Sequence, residues 1–423
     1  MKRALLLAFL SLAVSASASA TVLRIRVDDM IHPISDEYIG RALADAARVH
    51  DAAVVIELNT PGGLLDSTRS IVRRITTSAV PVIVYVSPTG SRAASAGFFI
   101  LEAADIAAMA PGTNTGASHP VSLGGQKMDD IEKTKVENDA AAFMRSIAAR
   151  HGRNVNAAES AVRESKSFTE QEALQLHLID FVAPDVPALL RAANGRQLHR
   201  YDGSVVTLHL AGQTIRGYGM SLKERLLSLL MDPNIAFLLF ALGGLAIFAE
   251  FNHPGAIVPG VVGVISILLA LFALNLLPTR YAALALLVVA FALFVLEAKY
   301  GTHGILAIGG IICMIFGALL LVDGPIPEMR VHLITALAVS IPVGLITVFL
   351  TTIVLRARRN RVTTGREGMI GEIGIARTEL EPAGKVFVHG ELWNAVARTS
   401  VASGSRVRVS GVEGLQLIVE PAD

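Results

Sequence analysis

A single cysteine, Cys313, in a chain of 423 residues excludes any intrachain disulfide and any cysteine-held metal cluster. It lies within an apolar run, where it reads as a small packed residue. Tryptophan is equally scarce: Trp393 stands alone and reads as a core residue of a small barrel rather than a ligand platform. Charge is thin as well. Charged residues make up 17% of the chain and hydrophobic ones 52%, with a mean hydropathy of +0.54, which is too apolar for a soluble protein of two or three domains, so membrane spans are required. The net charge of +1 lacks the basic excess that nucleic-acid partners demand, and that class is excluded.

What is present falls into zones. Residues 1–20 combine Met1-Lys2-Arg3, an apolar run over 4–14 and the small-residue end Ala18-Ser19-Ala20, the three parts of a secretory signal peptide, with cleavage expected after Ala20. The chain from Thr21 onward is then exported. Over 21–184, β-branched runs (22–27, 53–58, 80–86) alternate with helical segments (35–49, 64–77), which predicts an α/β domain with a mainly parallel sheet and a site at the carboxyl ends of its strands. Residues 185–232 read as a polar appendage with a hairpin at Asp202-Gly203, followed by an amphipathic linker over 221–230.

The membrane zone, 233–356, holds apolar stretches at 235–251, 256–277, 281–296, 303–322 and 331–355, about five helices, of which the first is the weakest. An exported amino-terminal domain followed by five crossings puts the carboxy terminus in the cytoplasm. Arg356, Arg358, Arg359 and Arg361 after the last span agree with the positive-inside rule. An internal echo joins Glu250, His253 and Gly255 to Glu297, His303 and Gly304, suggesting a duplicated two-helix unit. Those ionisable residues could form a proton path, but helix-end caps are the simpler account. Residues 363–423 alternate short β-like runs with Gly, Pro and Ser, which predicts a small OB-type barrel serving interaction or assembly. Neither a basic stripe nor interleaved aromatics suit it to nucleic acid.

The chemistry concentrates in two segments that follow strands: Asn59-Thr60-Pro61-Gly62-Gly63 and Ser91-Arg92-Ala93-Ala94-Ser95-Ala96-Gly97. A serine framed by Ala and Gly lets a carbonyl approach closely, and a glycine pair leaves N–H groups uncovered for a developing oxyanion, so the pattern reads as acyl transfer by Ser95. A serine needs a base. Lys135, at the start of a helix about 40 residues on, would serve only if burial or nearby positive charge neutralised its amine. His119, in Gly116-Ala117-Ser118-His119-Pro120, titrates near neutrality by nature and needs no such help.

With Ala110-Pro111-Gly112-Thr113-Asn114-Thr115-Gly116-Ala117 and Gly152-Arg153-Asn154, these segments resemble the long form of the NfeD family across nearly the whole chain. The resemblance implies a membrane-bound serine protease with a Clp/crotonase-like α/β domain, a helical transmembrane bundle and an OB-fold barrel. It further implies Ser95 as nucleophile, Lys135 as general base, and the backbone of Gly62, Gly63 and Ala96 as oxyanion hole. The base's supporting partner is open, because this chain has Ser165, beside Glu164, where some relatives carry an acid. His119 remains the alternative base, since soluble Clp proteases place a triad histidine at similar spacing. The expected substrate is an apolar peptide segment, with a stomatin-like membrane protein as substrate or partner. A homo-oligomer in the bacterial inner membrane, with no metal or organic cofactor, completes the expectation. A non-catalytic membrane scaffold and a crotonase-like acyl-thioester enzyme are the competing readings.

Overall fold

The computed structural model describes residues 21–121, 129–200, 203–252, 255, 257–324, 329–359 and 365–422; the expected signal peptide lies outside them. The chain divides into two compact units, 1–347 and 348–423.

The first unit opens with β1 (Val22–Asp28), α1 (Pro33–Val49), β2 (Ala53–Asn59), α2 (Leu65–Thr76) and β3 (Val82–Val86). There follow β4 (Arg92–Ala94), α3 (Ala96–Glu102), β5 (Ile106–Met109), β6 (Asn114–Gly116), α4 (Asp130–Arg150) and α5 (Val155–Arg163). Then come β7 (Ser167–Thr169), α6 (Glu170–Gln175), β8 (Phe181–Val182), α7 (Val186–Ala193), the hairpin β9 (Gln197–His199) and β10 (Val205–Thr207), β11 (Ile215–Gly217) and α8 (Leu222–Leu230). Six strands form one parallel sheet in the order β11-β1-β2-β3-β5-β8. All five residues of β3 are buried, as expected of a strand covered on both faces, and this explains the unbroken Val/Ile runs in the sequence. Residues 215–217, which the sequence reads as part of an appendage, form the edge strand of this same sheet beside β1. Three residues are too few to show a period, so pairing with an exposed edge decides their fate.

α8 leads into the apolar helices α9 (Pro233–Asn252), α10 (Val258–Leu276), α11 (Tyr281–Tyr300), α12 (Ile305–Leu320) and α13 (Leu333–Arg359). Among the described residues, four helices are long and apolar enough to cross a membrane, namely α9, α10, α11 and residues 333–353 of α13. The first apolar stretch is therefore a full 20-residue helix, and α12, with 16 residues, is the short one. Its start is set by Gly301 and Gly304, both in the left-handed region, which turn the chain after α11. α10 packs so closely on α9 that a Cβ at Gly263 would lie 2.8 Å from Gly243 O, the small-residue contact typical of helices in lipid.

α11 and α12 form a hairpin tied at both ends. At one end Glu297 accepts hydrogen bonds from Thr302 Oγ1, Gly304 N (3.0 Å) and Leu306 N (3.1 Å). At the other, Arg280 pairs with Asp323 (2.6 Å), Arg280 N donates to Leu321 O (3.0 Å), and Asp323 N donates to Pro278 O (3.0 Å). α12 thus returns to the level at which α11 began.

The second unit contains the short helix α14 (Gly365–Met369) and strands β12 (Ile373–Ala376), β13 (Ala383–Val388), β14 (Glu391–Ala397), β15 (Arg406–Glu413) and β16 (Gln416–Pro421). They close a five-stranded barrel in the order β12-β13-β14-β16-β15, the OB-type arrangement expected from the sequence. Its core is aliphatic, built from residues such as Val386, Val407, Leu417 and Val419, with Trp393 packed against it.

Candidate active site

The two sequence segments meet through backbone pairing. Beyond β2, Thr60 bridges to Ala93 in parallel: Thr60 N donates to Arg92 O (2.7 Å) and Ala94 N to Thr60 O (3.1 Å). This fixes β4 beside the turn that carries the two glycines. A Cβ at Gly97 would lie 2.6 Å from Thr60 Cγ2, so the glycine after Ala96 is what allows helix α3 to start so near the turn. From the other side Ile31 grips the turn, its N–H donating to Gly62 O (2.8 Å) and its carbonyl accepting from Leu64 N (2.8 Å). A Cβ at Gly63 would fall 2.1 Å from Ile31 O, so only glycine fits.

Ser95 sits at the junction of β4 and α3 with φ 53° and ψ −111°, a conformation a serine rarely adopts. Its backbone is clamped: Ser95 N donates to Gly116 O (2.8 Å), and Ser118 Oγ donates to Ser95 O (3.2 Å). The side chain is half-buried, and its hydroxyl has no hydrogen-bond partner among the described residues. Gly62, with φ 128°, lies directly against it, since a Cβ there would be 2.9 Å from Ser95 Cβ and 3.3 Å from Ser95 Oγ. The Gly62 N–H, expected among the oxyanion donors, instead donates to Thr60 Oγ1 (3.2 Å). The N–H groups of Gly63 and of Ala96, at the first turn of α3, have no acceptor among the described residues. Two uncommitted donors thus lie next in the chain to Gly62 and to Ser95, the two residues in contact.

Neither candidate base hydrogen-bonds Ser95. His119 Nδ1 lies 3.0 Å from Val162 O on α5, which makes that nitrogen the N–H donor and leaves Nε2 as the basic atom. Lys135 lies in the amino-terminal part of α4 and is exposed, with no partner among the described residues. α4 docks only further along: Asp139 pairs with Arg69, Glu137 with Arg163 (3.1 Å), and from Ala140 onward its inner face enters the core. Glu164, beside Ser165, is committed to Lys166 (2.7 Å).

Three contributors went unread in the sequence. Thr60 both orients the glycine turn and occupies the Gly62 N–H. Gly116, whose φ is 112°, supplies the carbonyl that holds Ser95 N, and a Cβ there would lie 2.4 Å from Lys166 O. Arg153, the middle residue of a noted motif, is buried and donates to the carbonyls of Leu101 (3.2 Å), Glu102 and Ala104 (2.8 Å), capping the carboxyl end of α3. Glu102, the last residue of α3, is fully buried, and neither of its carboxyl oxygens has a hydrogen-bond partner among the described residues. Burial, only partly offset by Arg153, pushes its pKa up to about 8.

Comparison with known proteins covers the same three parts. The chain matches the NfeD1b amino-terminal domain over residues 21–189, the NfeD integral membrane domain over 234–355, and the NfeD-like C-terminal, partner-binding domain over 366–421. It is 36% identical over 397 residues to the membrane-bound protease PH1510 of Pyrococcus horikoshii, covering 91% of this chain and 88% of that protein. It is 28% identical over 432 residues to the membrane protein NfeD1b of Bacillus subtilis, covering 98% of this chain and 96% of that protein. Among solved structures, it resembles the 1510-N membrane protease specific for a stomatin homolog from Pyrococcus horikoshii, with 33% identity over 50% of this chain and 99% of that one, at a TM-score of 0.45. An α/β domain joined to apolar membrane helices, together with the 36% identity to PH1510 over most of both chains, defines a membrane-bound protease. The chain belongs to the NfeD family.

Proposed function

We propose that Ser95 is the nucleophile of a membrane-anchored endopeptidase, that Lys135 is its general base, and that the N–H groups of Gly63 and Ala96 hold the oxyanion. One observation carries this reading: a serine hydroxyl with no hydrogen-bond partner among the described residues stands against Gly62, and the residues that follow Gly62 and Ser95 in the chain have uncommitted N–H groups. Attack of Ser95 Oγ on the scissile carbonyl carbon transfers the hydroxyl proton to the lysine amine and places negative charge on the carbonyl oxygen, where the two N–H groups receive it. Collapse expels the peptide amine, which takes the proton from the lysine. Water then attacks the acyl-enzyme by the reverse proton route and frees Ser95. A lysine acts as a base only where water is excluded. The exposure of Lys135 in one chain therefore favours a homo-oligomer in which a second copy, with the substrate, covers the amino-terminal part of α4.

The substrate is an apolar peptide segment of a stomatin-like membrane protein, in keeping with the specificity named for the P. horikoshii relative, and the barrel is the partner-binding module. The α11–α12 hairpin supports five crossings: because Asp323 returns to Pro278 and Arg280, α12 crosses back if α11 crosses. Five crossings leave the two ends of the membrane zone on opposite sides, and the expected signal peptide and the arginines after the last span favour an α/β domain on the outer face of the cytoplasmic membrane and a barrel in the cytoplasm. A reporter fused to the carboxy terminus reads this directly, since activity in the periplasm would refute it. For the chemistry, full-length protein in detergent is assayed with fluorogenic apolar peptides. Ser95→Ala and Lys135→Ala are expected to lose at least about a thousandfold in kcat while His119→Ala keeps most of it. Full activity in Lys135→Ala with loss in His119→Ala would overturn the assignment of the base.

A further inference from the structure

α8 presents two faces of opposite character. Its inner face is fixed to the α/β domain: Glu224 is buried and accepts from Arg41 Nε (2.9 Å), and Ser228 Oγ donates to Asp29 (3.2 Å). On the outer face Leu222, Leu226 and Leu229 recur at i, i+4 and i+7 and are 74%, 54% and 56% exposed. A leucine stripe of that kind, on a helix that ends just before the apolar α9, has the pattern of an interfacial helix, and its last leucine, Leu229, also borders the cleft described next.

Between α8 and the carboxyl ends of β1 and β2 lies a cleft of about 660 Å³, within the range that takes a ligand. One wall includes Asn59 and Pro61, of the turn that sets Gly62 against Ser95, and the opposite wall includes Ser228, Leu229 and Pro233, where the chain enters the membrane. The cleft thus runs from the glycine turn to the start of the apolar helix α9. We infer that it is a substrate subsite for the extended stretch of polypeptide that directly adjoins a membrane-embedded segment, so that the enzyme cleaves its substrate at the bilayer surface rather than after release. The continuity of one wall with α9 and of the other with the catalytic turn favours this occupant. The inference rests on the reading of Ser95 as nucleophile.

The test uses full-length protein in lipid nanodiscs and two probes, an apolar fluorogenic peptide and the same peptide fused to a single transmembrane helix. In a Ser95→Ala background, a photo-crosslinking residue is placed at Leu229, which lines the cleft, or at Leu222, which does not. The anchored probe is expected to crosslink from position 229 at several times the yield from position 222; equal yields, or none from 229, overturn the proposal. With Ser95 intact, Ser228→Trp fills the cleft and is expected to lower kcat/KM for the anchored probe about tenfold more than for the free peptide, whereas an equal effect on both, or none, counts against it. If Ser228→Trp does not fold, the crosslinking decides alone. Persisting cleavage by Ser95→Ala would refute the nucleophile, not the cleft, because crosslinking reads binding without turnover.

Discussion

Glu102 makes stability depend on pH in a direction opposite to that of an ordinary carboxylate. Its carboxyl group is fully buried at the end of the helix that begins after Ser95, with Arg153 Nη1 4.0 Å away. Burial, opposed by Arg153 and reinforced by Asp180, keeps it protonated up to about pH 8. In the unfolded chain an ordinary glutamate releases its proton near pH 4.3. From there upward the folded state binds the extra proton, so stability falls as pH rises, by up to about 1.4 kcal/mol per unit, and levels off once the folded group ionises. His151 acts in the opposite sense: burial first, then Arg153, lowers its pKa to about 4, so its contribution rises with pH between about 4 and 6.5. Below pH 6.5 the two slopes largely cancel. Between pH 6.5 and 8 Glu102 acts without that opposition, and a loss of about 2 kcal/mol is expected. Glu102→Gln keeps the shape and cannot ionise. Thermal unfolding of the full-length protein in detergent, followed from pH 6.5 to 8, should show a falling Tm in the parent and a flat one in the variant. An equal decline in both proteins would refute the assignment to Glu102.

Gly62→Ala places a Cβ 2.9 Å from Ser95 Cβ in a backbone region that only glycine enters freely, so the serine must move by about half an ångström and kcat should fall about ten- to a hundredfold. Gly195→Ala, also at positive φ but with nothing within 4 Å of the added Cβ, should leave peptide cleavage unchanged, which separates backbone strain from the contact with Ser95. Glu297→Ala strips the acceptor from Gly304 N before α12, while Leu306 N keeps Thr302 Oγ1 (3.3 Å), and should cost about 1–3 kcal/mol for the donor left unpaired, read as a lower unfolding midpoint in mixed micelles.

The α/β core was legible because its strands are covered on both faces: β2 and β3 read as unbroken apolar runs, and the expected boundaries at 53–58 and 80–86 lie within two residues of the observed ones. The glycine turn and Ser95 were legible for a different reason, since small residues at consecutive strand ends have few uses other than close approach. What stayed hidden depends on tertiary partners. β11 is a three-residue strand recruited by the edge of β1, and α3 is a seven-residue helix whose far end is capped by Arg153, about 50 residues later in the chain. The division of labour among the N–H groups was hidden for a local reason: the Thr60 hydroxyl turns back to Gly62 N two residues on, a choice of rotamer that residue types alone do not fix.

The echo between the two helix pairs resolves in favour of architecture. Glu297 spends its carboxylate on Thr302 and on two backbone N–H groups at the start of α12, while Glu250, at the corresponding end of α9, accepts from Gly255 N (3.2 Å) in the turn before α10. In each case a glutamate at the end of a first helix takes the N–H of a turn glycine, five residues on in one hairpin and seven in the other. A proton path would need these carboxylates free to exchange partners, yet Glu297 is held by three donors and is almost wholly buried. Lipid offers no water to a turn's backbone donors, so a buried carboxylate that satisfies several of them at once is a structural necessity there. Glu297 thus serves its hairpin, and the chemistry proposed to act on a substrate is that of the serine at the end of β4.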